Sequence, residues 1–465
     1  MDKTVCELFA GVGGFRCGLN SIRTVEDAAR PEKWETVWFS QWEPADKKTQ
    51  WAWSCYVDRF GTRLDRKGKD TTNIDVAEVP KEDLPDFNLL VGGFPCQDYS
   101  VANSLATSKG IEGKKGVLFW SILDTVREKH PPFILLENVD RLIKSPAKQR
   151  GRDFGIILAC LRDEGYTVEW RVINAADYGF QQRRRRTFIF AYREDTRYGA
   201  RMAGAIGYEE AKKGEESRQE MARLLLEDGF FATSFPVGGA EGADGASLRI
   251  GVLPRDLVEL SDTYRSNFEN AGVMKDGVVY TVKTTPRYDG PQITLGQIME
   301  TGRVDEQFFI PKERLYYTDP EVTHSDESQN GMLTAKEHKT WQYIKGAKRL
   351  PRKAANGHEY IFSEGVVSMI DSYDKPARTM LTSEGSFSRT THIVRDMETG
   401  RIRLLTPIEM ERIQGFPSDW TKECLVDGQK VEMPVSRRRF MMGNALVVDL
   451  VRQMERQLSD IFDAE

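Results

Sequence analysis

Six short apolar runs, at residues 4–9, 36–40, 87–91, 133–136, 166–174 and 187–192, alternate with helix-periodic stretches over the first part of the chain. A chain patterned this way sandwiches strands between helices, so the expected architecture is α/β, a parallel or mixed sheet covered on both faces. Between two of the runs, residues 117–129 place Leu118, Ile122 and Val126 on one helical face. At 465 residues, 40% of them hydrophobic, the chain is long for one domain and has apolar material for a substantial core. After about residue 199 the pattern changes. A charged helical stretch at 209–227, a glycine-rich turn at 238–245 and irregular polar segments to about 375 follow, then an apolar-periodic helix at 445–458.

Polar groups sit where these runs end. Thr4 to Phe9 leads into Ala10-Gly11-Val12-Gly13-Gly14, a strand, turn and helix start that makes either an anion or cofactor cradle or a plain tight turn. Arg16 stands where the dinucleotide fingerprint requires glycine, which excludes that motif. Glu43, after the second run, is spaced to meet ribose hydroxyls or to lie in solvent. The third run reaches Gly92-Gly93-Phe94-Pro95-Cys96-Gln97, a turn able to display a thiol, although a free cysteine is more often a small buried hydrophobe. The fourth ends in Glu137-Asn138-Val139, where a carboxylate at the carboxyl end of a strand is a candidate proton donor. Ahead of the sixth stands Gln182-Arg183-Arg184-Arg185-Arg186, a solvated basic patch, a phosphate contact or part of a site. Extended backbone puts Gln182, Arg184 and Arg186 on one face and Arg183 and Arg185 on the other.

In order, Phe9-Ala-Gly-Val-Gly-Gly14, Gly93-Phe-Pro-Cys-Gln97, Glu137-Asn-Val139, Gln182-x-Arg-x-Arg186, Arg403-Leu-Leu-Thr-Pro-Ile-Glu-Met-Glu-Arg-Ile-Gln-Gly-Phe-Pro417 and Gly443-Asn-Ala-Leu446 resemble the DNA cytosine-5 methyltransferases of bacterial restriction-modification systems. Only residues from about 200 to 375 lie outside the shared pattern. The resemblance implies a Rossmann-like S-adenosylmethionine-dependent methyltransferase domain (1–199) and a smaller, mixed target-recognition domain carrying the Arg-x-Leu-Thr-Pro segment (200–430). A C-terminal segment (431–465) would return to the first domain. It also implies a mechanism. Cys96 adds to carbon 6 of a flipped cytosine while Glu137 protonates or hydrogen-bonds ring nitrogen 3. Arg186 holds the base carbonyl, Arg184 adds positive potential that favours the thiolate, and carbon 5 takes the methyl group, leaving S-adenosylhomocysteine.

For the cofactor, the resemblance implies Phe9, Gly11, Gly13 and Gly14 at the methionine and adenosine portions, Glu43 at the ribose and Asp75-Val76 at the adenine. Pro95 and Leu118 would line the methyl-transfer end, with Asn444 and Ala445 closing the pocket. Glu43 follows its strand later than is usual, and Asp70 is a rival to Asp75. The loop 97–115, rich in Ser, Gly, Lys and Thr, would close over the flipped base, bringing Gln97 and Ser100 to DNA; an ordinary surface loop is the alternative. Gln182, and in the recognition segment Arg378 and Arg389, are the other expected DNA contacts. Trp341-Gln-Tyr-Ile-Lys-Gly-Ala-Lys-Arg349 is a basic aromatic segment whose aromatics read as local core ahead of base-stacking wedges.

Six scattered cysteines without C-x-x-C pairs indicate neither zinc nor a disulfide framework, and no metal is expected. A formal net charge of -5 does not announce a nucleic-acid binder, so DNA contact must come from local basic faces at residues 183–186, 345–353 and 437–439. The expected setting is the bacterial cytoplasm, at the nucleoid when bound, with no membrane span and no leader segment. The expected partners are double-stranded DNA with a specific target and a cognate restriction endonuclease acting separately, the protein itself working as a monomer. A nicotinamide oxidoreductase, an RNA cytosine methyltransferase of the same fold and a non-catalytic DNA-binding regulator are the rivals.

Overall fold

The computed structural model describes residues 1–44, 48–94, 118–203, 215–239, 249–316, 339–354 and 357–465. The six expected runs form strands: β1 (Thr4–Leu8), β2 (Glu35–Ser40), β3 (Leu89–Gly93), β4 (Phe133–Val139), β5 (Tyr166–Asn174) and β6 (Arg185–Arg193). Four of them are parallel, in the order β2-β1-β3-β4, and β6 and β5 continue the sheet antiparallel. Alternation along each strand sorts the core into two layers. Phe133 and Leu135 of β4 join one apolar cluster, while Ile134 and Leu136 join the cluster on the opposite face.

Helices α1 (Gly14–Leu19) and α2 (Trp51–Phe60) cover the first face with the C-terminal helix Val448–Ala464, which buries Val448, Leu450, Val451, Met454, Leu458, Ile461 and Phe462. At roughly 1.5–3 kcal/mol for each fully buried side chain, this stripe fastens the chain end to the first lobe. Trp34 Nε1 donates to Glu455 Oε1 at 2.9 Å, and the amino terminus donates to the Phe462 carbonyl at 2.9 Å. That helix begins three residues later than the 445–458 pattern suggests, because Ala445 and Val447 are extended and end the preceding helix, Val435–Asn444. On the other face lie Phe119–Lys129, with Ile122 and Val126 fully buried, and Arg152–Asp163.

The sheet does not stop at residue 199. Strands Ala271–Lys275, Val278–Val282 and Arg249–Val252 add to its β5 edge, so the expected domain boundary does not coincide with a change of layer. The physical reason is a tight hairpin. Asp276 and Gly277 both adopt positive φ, the turn that suits the twist of paired strands. The charged stretch at 209–227 is described from 215: an α-helix, Glu215–Arg223, followed by a wider turn at Leu224–Asp228. Trp341 is buried with Leu315, Ile393 and Ile402 as local core. Among the described residues no helix is long and apolar enough to cross a membrane.

Candidate active site

In-register pairing sets Leu8 beside both Ser40 and Gly92, and Gly93 beside Glu137, so the carboxyl ends of four parallel strands form one rim. Strand β6 starts at the same rim, with Arg186 opposite Val139. Such a rim is where open α/β sheets hold ligands.

At its centre, Arg186 Nε meets Glu137 Oε1 at 2.8 Å, both side chains retaining slight exposure. The other carboxylate oxygen faces Gly93, where a Cβ would lie 3.3 Å from it, so a side chain there would crowd the acid. Asn138 Nδ2 donates to the Phe94 carbonyl at 2.8 Å and fixes the last described residue before Pro95 and Cys96. Cys96 itself, with Pro95, Gln97, Ser100 and the whole expected lid, lies outside the described residues.

The arginine run alternates as extended backbone requires, with Gln182 and Arg184 buried and Arg183 and Arg185 exposed. The inward pair has a different occupation from the one expected. Arg184 donates from Nη1 to the Met380 carbonyl at 2.7 Å and from Nη2 to that of Gly443 at 3.0 Å, and burial first, Arg186 second, push its basicity down. Gln182, expected on DNA, is fully buried: its amide nitrogen donates to Ile413 O and Gln414 Oε1, and its oxygen accepts from Met380 N. Both side chains therefore position neighbouring segments. The Gln414 amide extends the junction to the Met442 carbonyl at 2.5 Å, and a Cβ on Gly443 would overlap the backbone of Leu381 and Thr382. Gln414 was missed because its partners are remote in sequence.

The glycine turn lies at the neighbouring part of the rim. Phe9 (φ 56°), Gly11 (φ 57°) and Gly13 (φ 88°) are left-handed, and for a bulky residue such as Phe9 this costs on the order of 1–3 kcal/mol. Strain held at a strand end is the kind found at ligand sites. A Cβ on Gly11 would meet nothing within 4 Å, so the turn has an open side that fits an adenosyl ligand. Gly13 instead serves packing, a Cβ there standing 2.8 Å from the Phe60 ring. A Cβ on Gly14 would lie 3.1 Å from the Leu446 side chain, which brings exposed Asn444 and half-buried Ala445 beside the turn.

Around it, Gln41 Oε1 accepts from Gly11 N at 2.7 Å, and Asn73 Nδ2 donates to Gln41 O at 2.7 Å; neither residue was anticipated. Glu43 accepts from Ala52 N at 3.2 Å at the start of α2. Asp75 caps the short 3-10 turn Val76–Glu78 with Val76 buried beneath, whereas Asp70 is engaged by both the amide and the hydroxyl of Thr72. Leu118 is half-buried at the start of its helix.

Beneath the turn, Glu7 is buried on β1 and accepts from Tyr56 at 2.8 Å, and Tyr56 accepts from Arg16 at 3.1 Å. Burial pushes the Glu7 carboxyl from 4.5 up to about 7, ahead of the opposing hydrogen bond from Tyr56 and charge of Arg16. Between those values the folded chain holds a proton that the unfolded chain has lost, so stability falls as pH rises through the window. Glu7→Gln removes this contribution. Its melting temperature should match wild type at pH 5 and exceed it at pH 8; identical pH slopes would contradict the assignment.

In the recognition segment, Arg378 Nε lies 2.6 Å from Asp371 Oδ1, and its other nitrogens reach the carbonyls of Thr390 and Thr391. Arg389 pairs with Glu364 and the Gly365 carbonyl. Both arginines brace the segment in this state. Buried Lys345 donates to Thr391 O at 2.7 Å, and His392 Nδ1 lies 2.9 Å from Glu384.

The family model for C-5 cytosine-specific DNA methylase matches residues 3–237 and 259–460. The chain is 41% identical over 459 residues, 98% of its length and 95% of the relative's, to the type II methyltransferase M.Sau3AI of Staphylococcus aureus. It is 30% identical over 189 residues, 41% of its length and 49% of the relative's, to the type II methyltransferase M.HhaI of Haemophilus parahaemolyticus. The crystal structure of the S. pombe Dnmt2 methyltransferase is similar in fold, with a TM-score of 0.50 at 14% identity over 99% of this chain and 98% of that one.

Proposed function

The chain belongs to the C-5 cytosine-specific DNA methylases, with their Rossmann-like fold, and from that membership we propose that it methylates carbon 5 of a cytosine flipped out of a specific duplex sequence. One observation carries the mechanism: the Glu137–Arg186 pair at the strand rim, with Phe94 tied to Asn138 beside it. Cys96 stands two positions beyond Phe94, a span of at most about 7 Å, so the thiol and the acid serve one ring. The five described cysteines are all buried, and burial pushes Cys55 and Cys160 up to about 12, which leaves Cys96 as the thiol suited to attack.

Cys96 bonds to carbon 6 while Glu137 donates to ring nitrogen 3 and takes up the electron density pushed into the ring. Arg186 orients Glu137 and holds the base carbonyl. Arg184 acts through the junction it ties, at one remove from the base. S-adenosylmethionine, when bound, supplies the activated methyl group; the Gly11 turn, Glu43, Asp75-Val76 and Asn444-Ala445 hold it. After transfer the carbon-5 proton leaves and the thiolate is expelled.

The protein acts as a monomer in the bacterial cytoplasm, protecting host DNA from a restriction endonuclease that cuts the same sequence. Bisulfite sequencing of DNA from cells expressing the chain, beside Cys96→Ser, tests this. Protected cytosines in one sequence context, absent with the variant, are expected. Protection confined to RNA, or none, would overturn the reading.

A further inference from the structure

Beside the recognition segment stands a two-stranded ribbon that the catalytic account does not use. Lys348–Lys353 pairs antiparallel with Glu359–Glu364, Leu350 facing Phe362 and Arg352 facing Tyr360. Its root is fastened. Glu364 and Gly365 hold Arg389, and Val367 N donates to the carbonyl of Lys345, whose ammonium holds Thr391. Beyond the root, residues 351–353 and 357–361 of the ribbon are all exposed.

Its charge is mostly uncommitted. Among the described residues Arg349 and Arg352 have no ion-pair partner, and Arg352 is held in place by stacking at 3.7 Å over the Phe362 ring. Lys353 faces Glu359 at 3.8 Å with both side chains exposed, a pair of little strength. A chain of net charge -5 that projects three basic residues on a narrow arm has concentrated them for a polyanion.

We infer that this ribbon is an arm for duplex DNA flanking the target, entering the major groove next to the recognition segment and placing Arg349, Arg352 and Lys353 on phosphates along its walls. The inference rests on the methyltransferase reading above. The dimensions agree: a two-stranded ribbon fits the major groove, and six residues span about 17 Å, or about five base pairs of B-DNA. The arm is single and rooted on the recognition segment through Glu364 and Arg389, so it would lengthen the footprint on one flank. It adds affinity and leaves the choice of sequence to the segment at its root.

The test uses the full-length protein on duplexes that carry its methylated site with either flank shortened by about five base pairs. Wild type should lose affinity when one flank is trimmed and not when the other is, and hydroxyl-radical footprinting of wild type alone should show the matching one-sided protection. Arg349→Gln/Arg352→Gln/Lys353→Gln should bind both trimmed duplexes alike, with a slope of log affinity against log salt shallower by about 2–3. A symmetric footprint, an unchanged slope, or a variant that differs only in self-association would overturn the inference. Absence of wild-type methyl transfer to any cytosine would instead defeat the reading beneath it.

Discussion

Cys96→Ala should lose methyl transfer by at least about 10⁴-fold while still binding the target duplex, because removing a covalent nucleophile leaves only binding and electrostatic assistance. Carbon 5 of cytosine becomes nucleophilic only once carbon 6 has gained an electron pair, and no other described thiol can supply it: Cys6, Cys17, Cys55, Cys160 and Cys424 are buried. Glu137→Gln should be milder, a fall of about 10²–10⁴-fold, since it removes proton donation and keeps the adding group. Single-turnover transfer to the site found by bisulfite sequencing separates the two. A Cys96→Ala enzyme within tenfold of wild type would move the nucleophile elsewhere.

The second large effect is on stability. Arg403, almost fully buried, donates to both oxygens of Glu409 at 2.7 and 2.8 Å and to Asp396 at 3.1 Å. Glu409 also completes the capping box with Thr406 that starts the helix Pro407–Ile413, and it accepts from Glu300 N at 3.1 Å. Arg403→Met should destabilise the protein by about 3–5 kcal/mol, the cost of leaving a buried carboxylate without its partner. Arg403→Met/Glu409→Met should recover part of that loss, because Glu409 is then no longer stranded and only Asp396, still engaged by Thr399, is left without the arginine. Urea unfolding monitored by tryptophan fluorescence measures both. A double variant no better than the sum of the singles would show that the pair acts through packing alone.

The motif around Arg403 thus has a physical purpose that its sequence partly displays: Thr406-Pro407-x-Glu409 is a helix start readable from spacing. The six strands were readable for the same reason, since each is a compact apolar run with a turn residue near its end. The extension of the sheet had a signal that was passed over: Asp276-Gly277 between Ala271-Gly-Val-Met-Lys275 and Val278-Val-Tyr-Thr-Val282 is a hairpin mark. Asp427-Gly428, between Glu423–Val426 and Gln429–Glu432, is another.

Other features had no local signal. Gln182 and Arg184 were expected to face ligands because the alternation of an extended segment shows which residues share a face, not what covers that face. The covering groups, Met380, Gln414 and Gly443, come from about two hundred residues or more downstream. Arg378 and Arg389 were expected to reach bases on charge and hydroxyl content, but Asp371 and Glu364 engage them from neighbouring segments. Glu137 and Arg186 meet because β4 and β6 are adjacent and antiparallel, a pairing no sequence spacing specifies. Residue types and their order carry the chemistry, and contacts between remote segments decide which charged groups are free to perform it.

The most direct test of the covalent step is intact-mass analysis of the protein with S-adenosylmethionine and a duplex carrying 5-fluorocytosine at the target position. Fluorine cannot leave as a cation, so the adduct should persist and peptide mapping should place it on Cys96. No adduct with an enzyme that methylates the unmodified duplex, or an adduct that survives Cys96→Ala, would contradict the mechanism.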